Sequence, residues 1–128
     1  PYPGIMELLK TLQEHEIPMA IVSNKNDAAV KRLAADFFEG IISVAIGERT
    51  GVRKKPAPDT VFTALEELGE HADSAVYVGD SEVDLQTAAN SGMDCISVAW
   101  GFKGRAFLEK EGASHIVDTP EEILRFLI

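Results

Sequence analysis

This sequence has almost no cysteine and no long apolar run. Cys95 is the only cysteine among 128 residues, which excludes an internal disulfide and a zinc site built from several cysteines. We expect Cys95 to be a small buried side chain in a strand. The longest apolar runs, such as residues 44–46, are far shorter than the roughly 20 residues that cross a bilayer. No charged-then-apolar leader is visible, so we expect a cytoplasmic protein that does not bind a membrane.

Positive charge is also scarce, because 12 Lys and Arg residues face 21 Asp and Glu residues and give a formal net charge of −9. A nucleic-acid partner is therefore not expected, since phosphate backbones are bound by clustered Lys and Arg. An anionic substrate would need a local cation to overcome the overall field. Arg53, Lys54 and Lys55, or a bound metal, could supply it.

The apolar pattern alternates between strand-like and helix-like segments along the whole chain. We predict strands at 19–22, 41–46, 75–78, 95–99 and 114–117, and helices at 5–16, from 26–27 onward, after Pro58, at 82–91, at 105–111 and from Pro120. The strands are continuous apolar runs, which is typical of a parallel sheet covered by helices on both faces. The fold class is therefore α/β, in one domain of ordinary size.

Two polar segments follow the first two predicted strands. Ser23 and Asn24 could hold a phosphate at a helix N-terminus, or Ser23, Asn24 or Asn26 could merely cap that helix. Lys55 offers a point charge for phosphoryl oxygens, or it could be a solvated loop lysine. Pro56 and Pro58 would stiffen its segment, because each proline fixes its own φ.

A third segment carries two carboxylates at the end of a buried strand. Asp80 and Asp84 suit a hard cation such as Mg²⁺, which takes oxygen ligands and leaves positions for substrate phosphate. Asp84 has a structural alternative, since Ser81 and Asp84 fit a helix capping box. Asp80 is harder to explain structurally, because an acid at the end of a buried strand needs a partner.

The order of these segments resembles the haloacid dehalogenase superfamily, which consists mainly of Mg²⁺-dependent phosphohydrolases. Residues 22–25 (Val-Ser-Asn-Lys), 55–59 (Lys-Pro-Ala-Pro-Asp) and 78–84 (Val-Gly-Asp-Ser-Glu-Val-Asp) are similar to its second, third and fourth motifs, and residues 98–102 (Val-Ala-Trp-Gly-Phe) resemble the phosphoglycolate phosphatase branch. The similarity extends over essentially all 128 residues. It implies a three-layer α/β/α, Rossmann-like core.

The resemblance also implies a role for each residue. Ser23 would hydrogen-bond the transferring phosphoryl group, helped by the backbone at Asn24. Lys55 would offset negative charge on nucleophile and phosphate. Asp80 would ligate Mg²⁺, and Asp84 would support the metal site through water and Lys55. Phosphoryl transfer depends mostly on such positioning and charge neutralisation.

Enzymes of this superfamily begin with a strand ending in Asp-x-Asp, whose first acid is the nucleophile and whose second is the acid and base. No Asp-x-Asp occurs here, and the chain starts with Pro1 and passes almost at once into a helix. We therefore expect residues 1–128 to be the larger, C-terminal part of the core domain, with the motif and the usual cap upstream. Without a nucleophile no aspartyl-phosphate can form, so we predict that the isolated chain is inactive.

The superfamily's first strand lies between the Ser23 strand and the Asp80 strand. Its absence would leave a gap of about 10 Å with unpaired backbone groups on both sides. A segment of the same protein could fill the gap, another chain could fill it, or the two strands could close together. Ladder hydrogen bonds between Ile21 and Val78 would indicate closure.

Three functions are compatible with this pattern. The first is a Mg²⁺-dependent phosphatase acting, in the full-length protein, on a small phosphorylated metabolite similar to phosphoglycolate. The second is a non-catalytic phosphate-binding or protein-interaction module of the same fold. A nucleotide or flavin binder is disfavoured, because no Gly-x-Gly-x-x-Gly or P-loop occurs. For Trp100 and Phe102, beside the candidate site, we expect packing rather than substrate contact.

Overall fold

Parallel strands covered by helices make up residues 2–128, the part of the chain that the computed structural model describes; Pro1 lies outside it. The strands are β1 (Ala20–Asn26), β2 (Val44–Glu48), β3 (Val76–Gly79), β4 (Asp94–Val98) and β5 (His115–Val117). The helices are α1 (Ile5–Glu14), α2 (Asp27–Phe38), α3 (Asp59–Leu68), α4 (Glu82–Ser91), α5 (Arg105–Lys110) and α6 (Pro120–Leu127), with a short 3-10 helix at Ala72–Ser74. The predicted α/β class is confirmed.

The sheet is interrupted between β1 and β3. β1 pairs with β2, and β3, β4 and β5 form a separate three-stranded sheet, all in parallel. Ile21 pairs with Ala45 and Val78 pairs with Ile96, so the alternative in which β1 and β3 close together is wrong. Val78 is 45% exposed although it is apolar and lies in a strand. The expected missing central strand therefore leaves one edge of β1 and one edge of β3 without a backbone partner among residues 2–128.

Helices and side chains hold the two parts of the sheet together. α1 and α6 cover the β4–β5 side in a cluster of buried residues (Leu8, Leu12, Ile96, Val98, Val117 and Ile123). Val61 and Leu65 of α3 pack with Tyr77 of β3, and Val22 of β1 contacts the same cluster. Because each buried aliphatic side chain contributes about 1.5–3 kcal/mol, such packing can order both parts without direct strand pairing.

The second strand begins later than its apolar pattern predicts. The backbone N–H groups of Ile41 and Ile42 both donate to the carbonyl of Phe38, at the end of α2. Since the last carbonyls of a helix need partners, this turn takes the two isoleucines out of the strand. β2 consequently starts at Val44, not at Ile41 as predicted.

Most of the other predicted elements are confirmed, with small shifts at their ends. The first strand differs more, because β1 continues through Ser23 and Asn24 to Asn26 and does not end at Val22 as predicted. None of the helices in residues 2–128 is long and apolar enough to span a bilayer.

Candidate functional site

Asn24, two residues before the end of β1, holds the backbone of Lys55. Its Oδ1 accepts the Lys55 N–H at 2.6 Å, and its Nδ2 donates to the Lys55 carbonyl at 3.3 Å. Asn90 of α4 donates to the carbonyl of Pro56 at 2.9 Å, and the Lys55–Pro56 peptide bond is cis. The loop that carries Lys55 is therefore fixed from β1 on one side and from α4 on the other.

Ser23 lies next to this contact and does not cap α2. The N-cap is Asn26, whose Oδ1 accepts the backbone N–H of Ala29 at 2.8 Å. The Ser23 hydroxyl accepts the Lys25 N–H at 3.2 Å and is half-buried. Of the three predicted candidate caps, Asn26 is therefore the one that caps α2. Contact of Ser23 and Asn24 with phosphate stays a prediction.

The Lys55 ammonium points into the protein rather than into solvent. Its side chain is 15% exposed, and Nζ donates to Asp84 Oδ1 at 2.9 Å and to the Tyr77 hydroxyl at 3.1 Å. The alternative of a solvated loop lysine is therefore wrong. A cation at this position offsets the acidic character of the chain where three predicted site segments meet.

Asp84 accepts four hydrogen bonds. Lys55 and Tyr77 donate to Oδ1, while the backbone N–H of Asp80 and the Ser81 hydroxyl donate to Oδ2. The Ser81 hydroxyl also accepts the Asp84 N–H at 3.3 Å, so Ser81 caps α4, which is half of the predicted capping box. The other half differs, because Asp84 accepts the backbone N–H of Asp80 and not that of Ser81. Burial alone would raise the pKa of Asp84, but the donors and the Lys55 charge outweigh it and hold that pKa below its usual value. Asp84 is therefore a carboxylate with both a capping and an electrostatic role.

Tyr77 is a member of this site that the sequence reasoning missed. Its ring is 6% exposed in the core, and its hydroxyl donates to Asp84 Oδ1 at 2.7 Å. Burial, and then the hydrogen bond to Asp84, raise the pKa of Tyr77 far above its ordinary value, so the hydroxyl stays protonated. A tyrosine inside an otherwise apolar strand was the available signal, because a buried phenol needs a partner.

Asp80 contrasts with Asp84 in having an unengaged carboxylate. It lies directly after β3, is half-buried, and forms no side-chain hydrogen bond or ion pair with any of residues 2–128. The backbone of Gly101 comes so close that a Cβ there would overlap the Asp80 side chain. The Asp80 carboxylate is held at the rim yet remains available to an external ligand.

The two aromatic residues of the neighbouring loop differ from each other. Trp100 stacks on Tyr2 with 5.0 Å between ring centroids and contacts the core, so its predicted packing role is confirmed. Phe102 is 96% exposed, and the packing predicted for it is wrong.

Asp80 fits one position of a magnesium site but cannot complete it. No group of three or more His, Cys, Asp and Glu side chains that could hold a metal ion occurs within residues 2–128. Mg²⁺ commonly uses one or two carboxylates, several waters and substrate phosphate oxygens, and a single free carboxylate suits that pattern. Both oxygens of Asp84 already accept protein donors, which suits a supporting role better than direct ligation.

Residues 1–98 match the sequence profile of the haloacid dehalogenase-like hydrolases. The chain belongs to this family. Among the curated relatives, the phosphoglycolate phosphatase of Pseudomonas savastanoi pv. phaseolicola is 31% identical in an alignment that covers 96% of this chain and 46% of that protein. The chain therefore spans about half the length of the curated relatives it matches.

Solved structures of the family share the fold. A protein of Lactobacillus delbrueckii subsp. bulgaricus, described provisionally as a phosphoglycolate phosphatase, is 46% identical with a TM-score of 0.97, covering 100% of this chain and 54% of that one. CbbY of Rhodobacter sphaeroides, crystallised with xylulose-1,5-bisphosphate, is 29% identical with a TM-score of 0.75. That match covers 94% of this chain and 54% of CbbY. Solved relatives described by different names thus share this half of the haloacid dehalogenase-like fold.

Proposed function

We propose that this chain is the larger part of the core domain of a Mg²⁺-dependent phosphatase that hydrolyses a small phosphorylated metabolite similar to phosphoglycolate. The supporting observation is the position of the Lys55 ammonium, buried and bonded to Asp84, which also accepts the backbone N–H of Asp80. The curated relatives named phosphoglycolate phosphatase support the substrate class.

Each site residue has a distinct part in this proposal. The Ser23 hydroxyl and the backbone N–H of Asn24 bind phosphoryl oxygens. Lys55 neutralises charge on those oxygens, and Asp84 holds the lysine in place. Asp80 is an oxygen ligand for Mg²⁺, which when bound supplies positive charge to the phosphate. This division matches the needs of phosphoryl transfer, in which positioning and electrostatic stabilisation dominate.

The nucleophile comes from a segment upstream of this chain. In the proposal, a strand ending in Asp-x-Asp lies between β1 and β3 and pairs with the backbone groups that lack partners there. Its first aspartate attacks phosphorus as the ester P–O bond breaks, and its second acid protonates the departing oxygen. Water then hydrolyses the aspartyl-phosphate, which releases inorganic phosphate and regenerates the carboxylate.

The test uses the complete protein that contains this chain. We expect this protein to release phosphate from phosphoglycolate in the presence of Mg²⁺. Phosphate release should stop when EDTA removes the metal. Asp80→Asn should lower kcat/KM by about 100-fold or more, because the amide is a far weaker metal ligand. Asp94→Asn, the same change at an exposed position at the start of β4, is the matched control and should leave kcat/KM unaltered.

Two results would contradict the proposal in different ways. Full activity in Asp80→Asn would contradict the proposal that Asp80 is a ligand for Mg²⁺. A complete protein with no Asp-x-Asp strand and no phosphatase activity would favour the non-catalytic module.

A further inference from the structure

The Tyr77 hydroxyl lies between Lys55 and Asp84, inside the core. Its ring packs against Val61, Leu65 and Ala88, while its oxygen is 2.7 Å from Asp84 Oδ1 and 3.1 Å from Lys55 Nζ. The phenol carries no charge, so it can contact both groups without changing the net charge of the pair. Packing alone would be served equally well by phenylalanine.

The direction of each hydrogen bond is fixed by chemistry. A protonated phenol has a single O–H, and the carboxylate of Asp84 can only accept, so Tyr77 donates its proton to Asp84. The phenol oxygen is then left as an acceptor for Lys55, which has N–H donors only. Lys55, Tyr77 and Asp84 therefore form a closed ring of three hydrogen bonds.

Two of the three ammonium protons of Lys55 are used in this ring. Within residues 2–128 the third proton has no acceptor. Because two fixed N–H directions determine the third, the ring sets where the remaining proton points. With Asp84 as its sole acceptor, Nζ and Cε could swing together about that one hydrogen bond, and the remaining proton would change direction with them.

We propose that Tyr77 is a positioning residue, whose hydroxyl orients the Lys55 ammonium toward the phosphoryl oxygens of the substrate. This inference rests on the proposed function, because it assigns Tyr77 a part in the same reaction. Tyr77 does not touch the substrate and acts through Lys55.

Removing the hydroxyl is the direct test. In the complete protein, Tyr77→Phe should lower kcat about tenfold and change KM by less than about twofold, since the lost orientation matters most when charge develops on the phosphoryl group. Tyr2→Phe is the matched control, because Tyr2 is the other tyrosine of the chain and its hydroxyl has no hydrogen bond within residues 2–128. It should leave both constants unchanged. An unaltered kcat in Tyr77→Phe would overturn the inference.

A double-mutant cycle separates positioning from general structural support. In a Lys55→Ala background, Tyr77→Phe should change the residual kcat by less than about twofold, because the group on which the hydroxyl acts is gone. A tenfold loss that persists in that background would show that Tyr77 does not work through Lys55, and would overturn the inference.

A measurement on the wild type covers the case in which Tyr77→Phe does not fold. Two hydrogen bonds should slow proton exchange enough to give a lysine NH₃⁺ cross-peak by NMR, which Lys55→Arg removes. No such peak would overturn the inference. The two failures can be distinguished. If the proposed function is wrong, the wild-type protein has no phosphatase activity. If only the inference is wrong, the wild type is active but the tests on Tyr77 and Lys55 fail.

Discussion

At the scale of the residue, Asp84 shows how burial and charge are balanced in this site. Its side chain is 9% exposed, and Lys55 compensates the loss of hydration with an ion pair at 2.9 Å. Buried pairs of this kind add little net stability over apolar residues, but breaking one leaves an uncompensated charge. Loss of the Asp84 charge should therefore be costly.

We expect Asp84→Asn to destabilise the protein by about 2–3 kcal/mol at pH 7, because Lys55 loses its counter-charge and an amide replaces an acceptor of four hydrogen bonds. The pKa of Asp84 is depressed in the folded state, so its stabilisation is present above the unfolded-state pKa of about 3.9 and is lost as pH falls through the folded-state value. In urea unfolding measured at several values from pH 7 to pH 3, the difference in free energy of unfolding between wild type and Asp84→Asn should therefore shrink.

Asp36→Asn is the control for this prediction, since Asp36 is exposed on α2 and the same chemical change there should alter stability little at any pH. A difference between wild type and Asp84→Asn that stays constant down to pH 3 would contradict the electrostatic explanation.

Residue types at strand ends predicted part of this site, but not its internal contacts. Asp80 and Lys55 were found from their places after apolar runs. The double contact between Asn24 and the Lys55 backbone joins positions 31 residues apart, and no local pattern encodes such a pairing. The link between Tyr77 and Lys55 was missed for the same reason, since it depends on how β3 and the Lys55 loop meet in space.

At the scale of the element, the turn between β3 and α4 brings a glycine against the key carboxylate. A Cβ on Gly79 would overlap the side chain of Asp84. Glycine therefore lets the strand backbone approach the first turn of the helix closely enough for Asp84 to accept the Asp80 N–H.

Gly79→Ala should displace Asp84 and cost about 1–3 kcal/mol by overpacking, with a fall in kcat of the complete protein as Lys55 moves. Gly40→Ala is the comparison. Gly40 has a φ of 78° and nothing within 4 Å of the position that an alanine methyl group would take, so this change carries only the backbone cost of about 1 kcal/mol. It should lower the unfolding temperature without affecting turnover. Normal turnover in Gly79→Ala would show that the turn tolerates a methyl group.

Element boundaries were predicted best where a cap residue marks them. α4 runs from Glu82 to Ser91 as predicted, since Ser81 caps its start and Gly92, with a φ of 73°, ends it. The predicted start of β2 at residue 41 is wrong because the apolar pattern extends into the turn after α2. Hydropathy does not report that the N–H groups of Ile41 and Ile42 bond to the end of α2.

At the scale of the whole molecule, the interrupted sheet connects structure with activity. α/β periodicity predicted the class and the parallel direction, and the family resemblance predicted the interruption. No strand of residues 2–128 pairs with β1 and β3 in the space between them. Lys55, whose backbone is bonded to Asn24 of β1, and Asp80, which follows β3, are in place although the sheet lacks a strand between β1 and β3.

The isolated 128-residue chain should keep its site residues together but not turn over phosphoglycolate, because no described residue supplies the Asp-x-Asp nucleophile. Phosphate release, measured on protein freed of contaminating phosphatases, should be at background with Mg²⁺ present.

Amide hydrogen exchange on the same sample tests the structural cause. Alternate amides of β1 and β3 should exchange quickly at their open edges, while those of β4, paired on both sides, exchange slowly. In the complete protein the fast amides should become protected. Uniform protection of β1 and β3 in the isolated chain, or Mg²⁺-dependent turnover by it, would show that the gap does not separate this chain from activity.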